Sequence, residues 1–178
     1  MIETVIESTS IYEGRIVHLH VDTVQLPDGR HAKREVVGHG GAVCIVPLRD
    51  NETVLLIRQF RLPAGKVLLE IPAGGLEKGE NPDDSAMREL REETGYRAGN
   101  LRRLFAMYLA PGYSTELIHT YLATDLSEDA LDQDEDENLE LVPMSLNDAI
   151  ALIFTGEIED AKTIAGLFAA QQILQETA

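Results

Sequence analysis

A chain of 178 residues with a hydrophobic share of 44% can bury one substantial core, with room for a small extension. Its 31 acidic residues against 15 Lys and Arg give a formal charge of −16, which argues against a general nucleic-acid or anionic-membrane surface, since both need clustered cations. No run of about 18 apolar residues offers a membrane span, and the start M-I-E-T-V-I-E lacks the basic and apolar regions of a secretory leader, so the expected compartment is the cytoplasm.

The first 40 residues read as strands: 5–12, 15–26 and 31–37 are rich in β-branched residues. Pro27-Asp28-Gly29-Arg30 between the second and third is a hairpin signal. His18 and His20 alternate onto one strand face without a third ligand in the sequence, so they read as structural or solvent-facing. Gly38-His39-Gly40-Gly41 punctuates the chain; it lacks the lysine of a phosphate-binding loop and reads as a turn or a close approach. This divides an N-terminal β extension, 1–40, from a main domain, 41–178. An added β layer exposes strand edges that need cover, which predicts a homodimer through the extension.

Apolar runs at 42–48, 53–61 and 67–71 predict three further strands, with the lone Cys44 buried in the first and assigned no chemistry. Asn81-Pro82 then opens a helix: Asn caps free N–H groups, and proline fits the first helical position. Asp83 and Asp84 suit the positive end of the helix dipole, and Gly95 is the stop. Strand-like runs at 101–109 and 117–123 flank the loop Ala110-Pro111-Gly112-Tyr113-Ser114-Thr115-Glu116. An acidic stretch from Asp125 to Glu140 follows, then helical segments near 145–155 and 160–175. Strands mixed with a few helices imply an α/β fold in which helices cover a sheet.

Within the capped helix, Glu89, Glu92 and Glu93 lie at i, i+3 and i+4, so their carboxylates share one face, while Ala86 and Leu90 turn another towards a core. A glutamate-rich helix is ordinarily a solvated face. Like charges at this spacing nevertheless repel, at about 0.2–0.5 kcal/mol per pair in an isolated helix. A hard divalent cation with oxygen ligands reverses that sign. Arg88 is an internal counter-ion able to orient a carboxylate such as Glu80 bidentately.

The segment from Gly74 to Tyr96 fills every fixed position of G-x5-E-x7-R-E-U-x-E-E-x-G-U, U being a bulky apolar residue, through Gly74, Glu80, Arg88, Glu89, Glu92, Glu93 and Gly95. The chain therefore resembles the Nudix hydrolases. That resemblance sharpens the fold to an α/β/α sandwich with a mixed sheet, preceded by a small antiparallel extension. Glu70-Ile71-Pro72-Ala73-Gly74, Pro111-Gly112 and the acidic loop Asp134-Glu135-Asp136-Glu137 are similar to the ADP-ribose and ADP-sugar branch. Together with Arg58-Gln59-Phe60-Arg61, the likeness spans essentially residues 30–160.

The resemblance implies hydrolysis of the diphosphate of ADP-ribose, with other nucleotide sugars, NADH or a non-catalytic sensor as alternatives. It implies Mg²⁺, or Mn²⁺ in its place, as two or more ions. The metal contacts it implies are the Ala73 carbonyl, Glu89, Glu92, Glu93 and Glu137. Glu135 is the preferred general base, a helix glutamate being the alternative. Arg58, Arg61, Gly75 and Glu116 match substrate-contacting positions. The connection from Arg61 to Glu70 is short, so contacts made by a longer loop in some relatives would be absent.

Overall fold

The computed structural model describes residues 1–50, 52–131 and 138–177. They form two compact units, one of Met1–Gly41 with Tyr108–Leu117, the other of Ala42–Met107 with Ile118–Ala178. Division by chain position alone would assign 108–117 to the second unit. Its backbone instead bonds to Val37 in the first: Val37 N donates to Tyr113 O at 2.7 Å, and Thr115 N donates to Val37 O at 3.0 Å.

The first unit is an antiparallel sheet of β1 (Thr4–Glu13), β2 (Val17–Gln25) and β3 (His31–His39), in that order. Register runs from Thr4 opposite Gln25 on one side and from Val17 opposite His39 on the other. Gly29 makes the β2–β3 turn at φ +84°, a left-handed conformation that strains other residues. His18 pairs with Glu13 at 2.6 Å, in keeping with its solvent-facing reading. β1 is exposed along its whole length.

The second unit contains two sheets. β4 (Ala42–Pro47), β7 (Ala73–Gly75), β8 (Tyr96–Tyr108) and β9 (Leu117–Glu128) lie in the order β7-β4-β9-β8, with β4 parallel to β9 and antiparallel to β7. β5 (Thr53–Arg61), β6 (Lys66–Glu70) and β10 (Leu139–Ser145) form the order β10-β5-β6. A single 3₁₀ turn, Leu62–Ala64, closes the β5–β6 hairpin. β8 starts directly after Gly95 rather than at 101, and β9 runs into the acidic stretch as far as Glu128. Both extensions are largely exposed, so no apolar alternation marks them.

β4 is buried on both faces, which explains its unbroken apolar sequence. Val43 and Ile45 pack with Ala86 and Leu90 of α1 (Pro82–Thr94), and with Tyr121 and Ala123 of β9. Cys44 and Val46 face the other way. They join Leu56 of β5, Ala149 and Ile150 of α2 (Leu146–Thr155), and Leu167 and Ala170 of α3 (Ala161–Thr177). The mixed sheet thus has helices on either face, as the sequence implied. Cys44 donates to Thr120 Oγ1 at 3.3 Å, and burial pushes its thiol up to about 11. No helix among the described residues is long and apolar enough to cross a membrane.

Candidate active site

The capped helix α1 carries the acidic cluster. Asn81 Oδ1 accepts from Asp83 N at 2.9 Å, and Gly95, at φ +77°, ends the helix with its N–H on Arg91 O at 3.1 Å. Ala86 and Leu90, fully buried, fix the rotation of the helix on β4. That rotation turns Glu89 and Glu93 inward: their exposures are only 8% and 3%.

Each of these two carboxylates meets the backbone of β7. A Cβ on Gly74 would overlap the Glu89 carboxylate, so only glycine lets that carboxylate lie against the strand. Glu93 Oε2 accepts from Ala73 N at 2.8 Å. The carboxylate of Glu93 and the peptide of Ala73 are therefore locked together, although 20 residues separate them in the chain.

Arg88 gathers the rest. Its Nε and Nη2 donate to the two oxygens of Glu80, each at 3.1 Å, forming the expected bidentate pair. Its Nη1 donates to Glu89 at 2.7 Å and to Glu92 at 2.8 Å. The hydrogen bonds from Arg88 lower the Glu80 carboxyl to about 2, overcoming a smaller opposing effect of burial. The same bonds, Glu80 first, hold Arg88 protonated well above the usual arginine range. Gly75 of β7 lies beside this cluster, its carbonyl 3.5 Å from Arg88 Nη2.

The donors around this patch are carboxylates and peptide oxygens, a hard set that suits a divalent cation of the Mg²⁺ kind. With Arg88 bridging the glutamates, no three His, Cys, Asp or Glu side chains among the described residues stand together as a metal cage.

The other sequence-implied residues divide. Arg61, at the end of β5, is held by Glu70: Nε to Oε1 at 3.0 Å and Nη2 to Oε2 at 2.9 Å. Arg58 pairs with Glu140 of β10 at 3.1 Å. Glu116 belongs to the first unit, 3.8 Å from His39 Nδ1. Glu135 and Glu137 lie outside the described residues.

Sequence reasoning passed over a second charged group. Glu70, 1% exposed, also accepts from Lys162 Nζ, and Lys162, 7% exposed, donates to Asp160 Oδ2 at 3.0 Å. The signal available was a lysine in the first turn of an otherwise apolar helix, A-K-T-I-A-G-L-F, next to an acidic residue.

Comparison with known proteins joins these observations. Residues 38–167 match the family model described as the NUDIX domain, and residues 3–37 match the nucleoside diphosphate sugar hydrolase N-terminal domain. An ADP-ribose pyrophosphatase of Bacillus subtilis is 43% identical over 90% of this chain and 88% of its own length. A methanol dehydrogenase activator of Bacillus methanolicus is 42% identical over 91% and 89%. A crystal structure of an ADP compounds hydrolase superposes with a TM-score of 0.88 at 25% identity, covering 99% of this chain and 96% of that one. With the glutamate helix seated against Gly74 and Ala73, and a family match over most of its length, this chain belongs to the Nudix hydrolases.

Proposed function

We propose that this enzyme hydrolyses the diphosphate of ADP-ribose to AMP and ribose 5-phosphate. The observation that carries the reading is the seating of Glu89 on Gly74 and of Glu93 on the Ala73 peptide, which concentrates buried negative charge beside one stretch of backbone. The names of the Bacillus subtilis relative and of the solved ADP compounds hydrolase support the choice of substrate.

Nudix hydrolases generally use divalent metal ions. Here Glu89, Glu92, Glu93 and the Ala73 carbonyl would hold them, joined by Glu137. Mg²⁺, two or more ions per site and replaceable by Mn²⁺, would polarise phosphoryl oxygens and acidify the attacking water. Arg88 holds Glu80, Glu89 and Glu92 in register. Glu135 takes the proton as water adds to one phosphorus and the bridging P–O bond breaks. Arg58, Arg61, Gly75 and Glu116 contact the substrate. The enzyme works in the cytoplasm as a homodimer, assembled through the N-terminal β extension.

A second reading, hydrolysis of another nucleoside diphosphate sugar, draws on the match of residues 3–37 to a nucleoside diphosphate sugar hydrolase domain. Phosphate release, coupled to a phosphatase, from ADP-ribose, ADP-glucose, GDP-mannose and NADH separates the two. ADP-ribose should be cleaved fastest with Mg²⁺ or Mn²⁺, chelation should abolish turnover, and Glu93→Gln should lose most of it. Faster turnover of GDP-mannose would select the second reading, and full activity of Glu93→Gln would remove the metal assignment.

A further inference from the structure

Beside the acidic cluster lies a chain of polar contacts that ends on Arg61 and whose other members, Glu70, Asp160, Lys162 and Thr163, have no part in the hydrolytic chemistry given above. Ile71 N donates to Thr163 Oγ1 at 2.9 Å, and Thr163 Oγ1 donates in turn to Asp160 Oδ2 at 2.6 Å. Asp160 Oδ2 also takes Lys162 Nζ, which reaches on to Glu70 Oε2, and Glu70 grips Arg61 with both oxygens. Two cations and two anions alternate, and both Glu70 and Lys162 are at least nine-tenths buried.

The backbone that this chain touches is the link from β6 to β7. The four residues from the end of β6 to the start of β7 are pinned one after another: Glu70 by its side chain, Ile71 by Thr163, Pro72 O by Ile45 N at 2.9 Å, and Ala73 N by Glu93. Burying such charges is costly, and well-packed apolar groups of similar volume often serve stability as well or better. What apolar groups cannot do is aim a guanidinium. Arg61 remains about one-third exposed, and its Nη1 makes no hydrogen bond among the described residues. Its strongest stabilising partner is Glu70, and Glu93 of the acidic cluster also acts on it through charge.

We propose that Lys162 is a positioning residue for diphosphate recognition: by clamping Glu70 Oε2, the same oxygen that accepts from Arg61 Nη2, it fixes the guanidinium of Arg61 as a preset fork for a phosphoryl oxygen of the substrate. This rests on the hydrolytic reading given above. A planar fork held on one edge by a carboxylate keeps its other edge oriented, which saves the ordering that a mobile arginine would undergo on binding. Lys162 itself touches no reacting atom, so its effect belongs to substrate binding rather than to the chemical step.

The test is steady-state kinetics with ADP-ribose and Mg²⁺ on the full-length enzyme and three variants, each with a thermal melt. Lys162→Met should raise KM roughly ten-fold with kcat within about two-fold. Lys162→Arg, which keeps the charge, should bring KM back towards the parent. Glu70→Gln combined with Lys162→Met leaves no orphaned carboxylate on Glu70 and carries the test if Lys162→Met alone does not fold; its KM should stay raised in folded protein. An unchanged KM in the folded variants, with kcat falling only as folded protein is lost, would mark a purely structural cluster and overturn the proposal. A parent enzyme that cleaves none of the diphosphates in the panel overturns the hydrolytic reading, and this inference with it.

Discussion

Gly74 shows how one missing side chain can set a site. Its Cα face is covered by the Glu89 carboxylate, so Gly74→Ala forces Glu89 off β7, while the strand itself tolerates alanine because the backbone there is not left-handed. We expect a loss of turnover of at least ten-fold with a thermal midpoint changed by only a few degrees; a variant with parental kcat would show that Glu89 needs no such seat. Glu80 offers a pH counterpart. Its folded carboxyl lies at about 2 against an ordinary 4.5, because Arg88 donates to both of its oxygens. A depressed carboxyl stabilises the fold above its ordinary value, and the contribution is lost as pH falls from 4.5 towards 2. Glu80→Gln should therefore flatten the stability curve across that window, measured by denaturant midpoints at stepped pH; a curve parallel to the parent's would deny the pairing. Glu80 and Arg88 were legible together because both fall within one motif at fixed spacing. The pairing of Glu70 with Lys162 was not, since the lysine stands out locally but a contact spanning 92 residues gives no local sign of its partner.

At the level of elements, α1 was readable from end to end because every boundary has a local chemical cause: an asparagine cap, a proline at the first position, a glycine stop. Buried apolar runs delimited β4 and β5 to within a residue, and β-branched residues did the same for β1 although it is exposed throughout, whereas the exposed start of β8 and end of β9 carry no hydrophobic signal. β7 is only three residues long, A-G-G, and its strand character comes from pairing with β4 rather than from its own composition. The docking of α1 makes the helix an energetic as well as a chemical element. Leu90 is fully buried among Val43, Ile45, Tyr121 and their neighbours, so Leu90→Ala should cost about 2–5 kcal/mol of stability. Because the same contact sets the rotation that turns Glu89 and Glu93 inward, kcat of the folded fraction should fall as well. Unchanged kcat in folded protein would mean that β7 alone orients the two glutamates.

For the whole molecule, the question is what covers the N-terminal sheet. β1 is an edge strand exposed at every position, and the segment carries Val5, Ile6, Ile11, Tyr12 and Ile16, each about half exposed. A ten-residue edge of this kind invites pairing with another chain, and a second copy is the partner always present. Charge opposes that pairing, since each copy carries −16. Two such chains repel less as salt shortens the screening length from about 30 Å at 0.01 M to about 8 Å at 0.15 M. The proposed homodimer should accordingly give a light-scattering mass of twice 19.6 kDa at micromolar concentration, with dissociation favoured at low ionic strength. Ile11→Asp with Tyr12→Asp places two more charges on the exposed strand and should shift the mass to that of one chain while leaving the core of the second unit untouched. A parent protein that stays monomeric at both salt concentrations would leave β1 without this partner and would remove the dimer from the proposed function.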